Sequence, residues 1–183
     1  MESSSGLITV AGGKLTAHRS MAKKAVDRAV TRLEKEHNIH PRKECLTDRV
    51  SLEGGDIEDI NMYLVEEMQR AQKELGLDEE VITHLIRRYG SNHRKLQDLV
   101  KQSPELGRRI VEDLPYIWAE LPYATEHEMA MTLSDFLVRR THIAYEDWNQ
   151  GISVSRTVAE AMAKHLGWNL QEVSEQIRIC LLY

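Results

Sequence analysis

Asp56-Ile57-Glu58-Asp59-Ile60-Asn61-Met62-Tyr63-Leu64-Val65-Glu66-Glu67-Met68-Gln69-Arg70-Ala71-Gln72-Lys73-Glu74-Leu75-Gly76, followed by Asp78-Glu79-Glu80-Val81-Ile82-Thr83-His84-Leu85-Ile86-Arg87-Arg88-Tyr89-Gly90, is the stretch that decides the fold class. In its first half Ile57, Ile60, Leu64, Met68, Ala71 and Leu75 recur at three- and four-residue steps, which puts them on one face of a helix. Asp56 stands as its N-cap and Gly76 ends it. In the second half Asp78 is the N-cap and Glu79 and Glu80 suit the positive end of the helix dipole. Val81, Ile82, Leu85, Ile86 and Tyr89 point inward, and Gly90 stops the helix. Two capped helices in tandem predict a helical body.

The same pattern extends in both directions. Downstream, Leu96, Leu99 and Val100 mark another helix, and Pro104, Pro115 and Pro122 break the chain into turns. Thr125-Glu126-His127-Glu128 reads as a capping box ahead of a core stripe of Met129, Leu133, Phe136 and Leu137. Val154, Val158, Met162 and Leu166 lead to a stop at Gly167. Asn169-Leu170-Gln171-Glu172 repeats the capping logic before Val173, Ile177, Cys180 and Leu181. Upstream, Ala22, Ala25, Val26, Ala29, Val30 and Leu33 place a helix over about Thr16 to Glu36. Leu7-Ile8-Thr9-Val10 before it reads as a short strand ending in Gly12-Gly13, with a second short strand possible by pattern at Arg49-Val50-Ser51-Leu52. A lone strand cannot satisfy its own ladder, so residues 7–10 belong to a sheet supplied elsewhere. The expected organisation is mainly α: strand, glycine turn and first helix over 1–36, a linker over 37–55, and a bundle-like helical domain over 56–183, with about seven helices in all.

Composition narrows the function. The 183 residues carry 24 Lys and Arg against 29 Asp and Glu, a net charge of −5, which argues against a broad nucleic-acid surface. No apolar run approaches the length of a membrane span, and the start lacks the regions of a secretory signal, so the expected location is cytoplasmic or peripheral at the cytoplasmic membrane. Cys45 and Cys180 are far apart and read as reduced thiols. His37 with His40 is the closest histidine pair, but no familiar spacing completes a metal site, and the eight histidines read as surface groups. Arg87-Arg88 with His93-Arg94-Lys95 is a basic patch that would suit a phosphate or an anionic lipid head group, although a solvated face explains it as well. Glu128 and Asp135 could be catalytic carboxylates, but pairing with Arg139 and Arg140 is the plainer role. Trp118, Trp148 and Trp168 read as core anchors.

One segment suggests chemistry. Gly12-Gly13-Lys14-Leu15-Thr16 sets two glycines, a cation and a hydroxyl where a strand hands over to a helix. Glycines admit a ligand close to the backbone, the first-turn amides attract negative charge, and Lys14 adds a full positive charge. The arrangement suits an anion, and it is also an ordinary tight turn.

The run Gly6-Leu7-Ile8-Thr9-Val10-Ala11-Gly12-Gly13-Lys14-Leu15-Thr16-Ala17-His18-Arg19, with Met21-Ala22 and Ala25-Val26-Asp27, resembles the end of the FAD-binding region in FAD-dependent glycerol-3-phosphate dehydrogenases and the related α-glycerophosphate oxidases. A second block, Glu128-Met129-Ala130, Thr132-Leu133, Asp135-Phe136-Leu137 and Arg139-Arg140-Thr141, with Leu166-Gly167-Trp168 further on, is similar to that family's C-terminal helical domain. The resemblance implies the last third or so of an enzyme that oxidises sn-glycerol 3-phosphate to dihydroxyacetone phosphate with FAD as hydride acceptor. The dinucleotide fingerprint is then expected in a separate N-terminal FAD-binding domain, the present chain alone is expected to be inactive and to hold no FAD, and the strand is expected to pair within the flavin domain. By match to the motif, Gly12, Gly13, Lys14 and Thr16 bind the cofactor, and Lys14 acts electrostatically beside flavin or substrate phosphate. Arg19 is expected to anchor the turn. Quinone, a membrane surface and a second subunit are further implied partners. Ala17 and His18 depart from the Thr and Tyr of the common family form, so contacts of those side chains do not carry over. A helical interaction module and a domain of a related amino-acid-oxidase-like flavoenzyme are the competing readings.

Overall fold

The structure, a computed structural model, describes residues 3, 5–41 and 43–180. The chain divides into a small unit over residues 1–52 and a larger one over 53–183. Among the described residues it is mainly helical, with eight α-helices and no strand.

In the small unit a 3-10 turn, Leu15–Ala17, leads into α1, His18–His37. Asn38 ends α1 in the left-handed region at φ 54°, with its N–H on the carbonyls of Leu33 and Glu34. The outer face carries i,i+4 ion pairs, Lys23 with Asp27 at 2.6 Å and Arg32 with Glu36 at 2.8 Å. No residue of α1 is buried. Of the apolar stripe read from the sequence, Val26 and Leu33 are exposed, and Ala22, Val26 and Val30 line an open groove with Pro41, Cys45 and Thr47. Residues 7–10 do not form the expected strand. Leu7 instead spends its backbone locally: its N–H donates to Ser3 Oγ and its carbonyl accepts from Ser3 N–H, both at 3.0 Å. Residues 49–52 form no second strand: a turn over 47–49 runs into a bend at Val50 and irregular chain.

The larger unit holds two adjoining apolar clusters. The first is built by α2 (Ile60–Leu75), α3 (Glu79–Tyr89) and α4 (His93–Gln102). Asp78 caps α3 as expected, accepting from Val81 N–H at 2.9 Å, and Val81, Ile82, Leu85, Ile86 and Tyr89 are all buried. Each such aliphatic side chain contributes about 1.5–3 kcal/mol. The cap of α2 is Asp59, not Asp56; its Oδ1 accepts from Asn61 and Met62 N–H. Asp56 instead accepts from Ser91 Oγ. The segment entering α2 is thereby tied to the end of α3, where Gly54 O also accepts from Ser91 N–H at 3.0 Å.

The second cluster is built by α5 (Glu120–His127), a π-helical segment Asp135–Arg140, the short α6 (Ile143–Glu146), α7 (Ile152–Leu166) and α8 (Leu170–Cys180). Asn169 caps α8 as expected: its Oδ1 accepts from Gln171 and Glu172 N–H, and Glu172 Oε2 takes Asn169 N–H at 2.7 Å. The box expected at Thr125 does not exist. Thr125 is buried inside α5 and returns its hydroxyl to the carbonyls of Leu121 and Pro122. The working box lies seven residues on: Thr132 Oγ1 accepts from Asp135 N–H at 3.1 Å, and Asp135 Oδ2 accepts from Thr132 N–H at 2.9 Å. Pro122 falls in the first turn of α5, where a missing N–H is tolerated, so it does not break the chain. Met129, expected in the core stripe, is exposed at φ 55° in the link between the two helices, whereas Leu133, Phe136 and Leu137 are fully buried.

Candidate functional site

The glycine bend keeps the properties an anion would need. Gly12 and Gly13 both have positive φ, 83° and 98°, which side chains with a Cβ rarely adopt. A Cβ at Gly12 would meet nothing within 4 Å, so this backbone is open to approach, whereas at Gly13 it would lie 2.4 Å from Met21 Sδ of α1. The N–H groups of Gly12, Gly13 and Lys14 donate to no acceptor among the described residues. Lys14 precedes the 3-10 turn in extended conformation, and its carbonyl accepts from Ala17 N–H at 2.9 Å. Its ammonium group makes no ion pair among the described residues, and Lys14 and Thr16 are exposed on the same turn. Three amides and one cation without partners among the described residues thus gather on one exposed bend, a set that can stabilise negative charge on a ligand. His18 secures the turn, with Nδ1 2.9 Å from Leu15 O. Arg19 does not do so: it lines the groove on the other side of α1 with Ala22 and Val26.

Next to the bend, Ile8, Val10, Ala11, Met21 and Ala25 line an open groove of about 480 Å³, bordered by Lys24 and Arg28. The apolar residues on both sides of α1 therefore face open grooves rather than a core.

The larger unit contains two buried carboxylates that the sequence does not announce. Glu120 is fully buried and accepts from Tyr89 Oη at 2.7 Å, from Ile117 N–H at 2.9 Å and from His84 Nε2 at 3.0 Å. Burial, reinforced by the Glu120 charge, holds the Tyr89 phenol far above its ordinary range. Glu67 is buried between Arg70, Arg94 at 2.8 Å and His93 Nε2 at 3.2 Å. His93 is completely buried, and burial pushes it down to about 4, against the opposing pull of Glu67 and with the charges of Arg94 and Arg70 acting in the same direction as burial. The sequence signal is only partial: Glu67 follows Leu64 by three residues, on the buried side of α2, and polar residues on an apolar stripe are paired when they are buried.

The remaining candidates resolve into structure. His93 and the mostly buried His84 overturn the reading of all histidines as surface groups. Among the described residues no three His, Cys, Asp or Glu side chains gather as a metal set. Arg94 and Lys95 of the basic patch are held by Glu67 and Glu53. Glu128 and Asp135 are held by Arg140 and Arg139, at 3.6 and 3.1 Å. Trp118 and Trp168 pack on the second cluster, but Trp148 is 97% exposed and anchors no core. Both cysteines are free thiols, Cys45 exposed and Cys180 buried, and hydrogen bonds with Thr47 hold the Cys45 thiol below its usual value. No helix among the described residues is long and apolar enough to cross a membrane.

Residues 45–173 match the family model for the C-terminal domain of alpha-glycerophosphate oxidase. The chain is 33% identical over 170 residues to the aerobic glycerol-3-phosphate dehydrogenase of Staphylococcus epidermidis, spanning 92% of this chain and 30% of that protein. It is 32% identical over 178 residues to a probable mitochondrial glycerol-3-phosphate dehydrogenase of Dictyostelium discoideum, spanning 96% of this chain and 26% of that one. The crystal structure of the glycerol-3-phosphate dehydrogenase from Bacillus halodurans complexed with FAD superposes with a TM-score of 0.80 at 28% identity, over 100% of this chain and 36% of that one. The chain thus spans about a quarter to a third of the length of the curated relatives it matches.

Proposed function

The chain belongs to the family of the C-terminal domain of alpha-glycerophosphate oxidase, and from that membership we propose that it serves as the C-terminal part of an FAD-dependent glycerol-3-phosphate dehydrogenase. The observation that carries the proposal is the likeness to an FAD-complexed dehydrogenase along the full chain, bend and helical unit together. That extent favours it over a helical interaction module, which would need only the helices, and over a more distant amino-acid-oxidase-like flavoenzyme.

In this reading FAD, held mainly by an N-terminal domain of the same enzyme, accepts the hydride from glycerol 3-phosphate. The residues of this chain contribute electrostatics. The amides of Gly12, Gly13 and Lys14 and the Lys14 ammonium would face the developing negative charge, with Thr16 beside them as a hydroxyl donor. Because these amides have no protein acceptor among the described residues, nothing must be broken before they act. The open grooves on either side of α1 supply apolar surface for the FAD-binding domain to cover. Electron transfer to quinone, peripheral attachment at the cytoplasmic membrane and pairing with a second subunit belong to the same proposal.

The test is Lys14→Ala in the complete enzyme. Removing one preorganised charge-assisted interaction typically costs about 2–4 kcal/mol in the transition state, so flavin reduction by glycerol 3-phosphate should slow by roughly 30- to 1,000-fold. Stopped-flow absorbance of the flavin reads this directly. Reduction at the parent rate would remove Lys14 from the site.

A further inference from the structure

A surface feature at the C-terminal end of α3 has no part in that proposal. It is a shallow, wide-open depression of about 470 Å³, lined by His84, Arg87, Arg88, Glu128 and Arg140. Three guanidinium groups therefore share it with a single carboxylate. That carboxylate is committed: Glu128 Oε2 lies 3.6 Å from Arg140 Nε, and Arg140 Nη2 also donates to Glu128 O at 2.7 Å. Arg88 has no carboxylate among the described residues. Its Nη2 donates to the carbonyls of Arg139 and Arg140, which fixes the group beside the end of the π-helical segment and leaves its Nε and Nη1 edges with no acceptor among the described residues. Arg87 makes neither a hydrogen bond nor an ion pair among the described residues. His84 forms a rigid wall, because its Nε2 is held by the fully buried Glu120.

Among the described residues Arg87 and Arg88 share the want of a carboxylate with Arg108 but stand side by side on one surface, unlike most arginines of the unit. Arg94, Arg109, Arg139, Arg156 and Arg178 each sit on a carboxylate. Adjacent guanidiniums left without counter-charge in a surface depression are the arrangement that captures a tetrahedral dianion, since the planar fork of each matches two phosphate oxygens. We propose that this depression binds a phosphate group through Arg87 and Arg88, with Arg140 and His84 bounding it. The group is that of a free phosphate ion or of an anionic lipid headgroup. Its failure would leave the flavin role of residues 12–16 untouched, because no residue is shared.

The experiment uses the 183-residue chain. Inorganic phosphate is titrated calorimetrically, and in a second arm the chain is sedimented with phosphatidylcholine vesicles prepared with and without phosphatidylglycerol. Arg87→Gln is the main variant, because Arg87 bonds to none of the described residues and its replacement leaves folding intact. Arg88→Gln is the second, and Arg156→Gln is the control. Removing one charge-assisted hydrogen bond should weaken binding by about tenfold or more, with the control at the parent value. Saturable phosphate binding weakened in Arg87→Gln supports a free-phosphate site. Vesicle binding that needs phosphatidylglycerol and falls in Arg87→Gln supports a headgroup site. Binding undiminished in Arg87→Gln, or absent from both arms, overturns the proposal.

Discussion

Gly90→Ala tests how the helical unit closes on itself. Gly90 ends α3 at φ 55° and ψ −137°, a conformation that strains any residue with a Cβ by roughly 1–3 kcal/mol. The added methyl would also lie 1.9 Å from Gly54 O and 2.8 Å from Gly54 C, which is backbone and cannot swing aside. Residues 53–55 would have to withdraw, breaking the bond from Ser91 N–H to Gly54 O, worth about 1 kcal/mol. The two effects together give about 2–4 kcal/mol. For a unit of this size, with each kcal/mol moving the midpoint by roughly 3–5 °C, the melting temperature should fall by about 6–20 °C. The comparison that isolates the close approach is Gly167→Ala. Gly167 also has a positive φ, 74°, but a Cβ there meets nothing within 4 Å, so only the backbone strain of about 1–2 kcal/mol applies. Thermal melts followed by far-ultraviolet circular dichroism on both variants give the answer. If Gly90→Ala destabilises no more than Gly167→Ala, the close approach of residues 54 and 90 is not what holds this segment.

Two further outcomes follow from the buried carboxylates. Glu120→Ala leaves Tyr89 Oη and Ile117 N–H buried without an acceptor and frees His84; at about 1–3 kcal/mol for each orphaned buried donor, urea unfolding should show a loss of about 2–6 kcal/mol, and a loss below about 1 kcal/mol would deny the network its structural role. His93, facing Glu67, Arg70, Arg94 and Tyr63, is held down to about 4 from its ordinary 6.5, so the unfolded chain takes up a proton that the folded chain refuses. Stability from this group is therefore complete above about pH 6.5 and falls as the pH drops toward 4, by roughly 3 kcal/mol at most. Melting temperature should depend less on pH between about 7 and 4.5 in His93→Gln than in the parent, and identical profiles would contradict this assignment.

Helix α3 is legible in the sequence because its stop, start and face are all local: Asp78 caps it, Gly90 ends it, and a 3.6-residue period fixes which side chains are buried. Helix α8 is legible for the same reason, through Asn169 and Glu172. Sequence patterns fail where two of them compete and tertiary packing chooses. Thr125-x-x-Glu128 and Thr132-x-x-Asp135 are equally good boxes on paper. The first is lost because Glu120 is drawn into the core by Tyr89 and His84, which starts α5 six residues earlier and leaves Thr125 inside it. The approach of Gly54 to Gly90 spans the whole of α2 and α3, and no short-range pattern announces it.

The bend at residues 12–16 differs from both cases. Every property it has is local, so its residues are readable, yet no neighbour among the described residues uses them. Amides without acceptors, a lysine without an ion-pair partner and an apolar helix face open to solvent are each common on a protein surface. Their coincidence on one short unit is less ordinary, since α1 buries nothing although its stripe has the period of a packed helix. A stripe of that period is stabilising only when another surface covers it, because isolated helices gain little from propensity alone. The small unit therefore carries two incomplete halves side by side, one apolar and one cationic. A single partner that presents apolar surface to α1 and an anionic edge to Gly12, Gly13 and Lys14 would complete both, which is what the proposed flavin-holding domain would do.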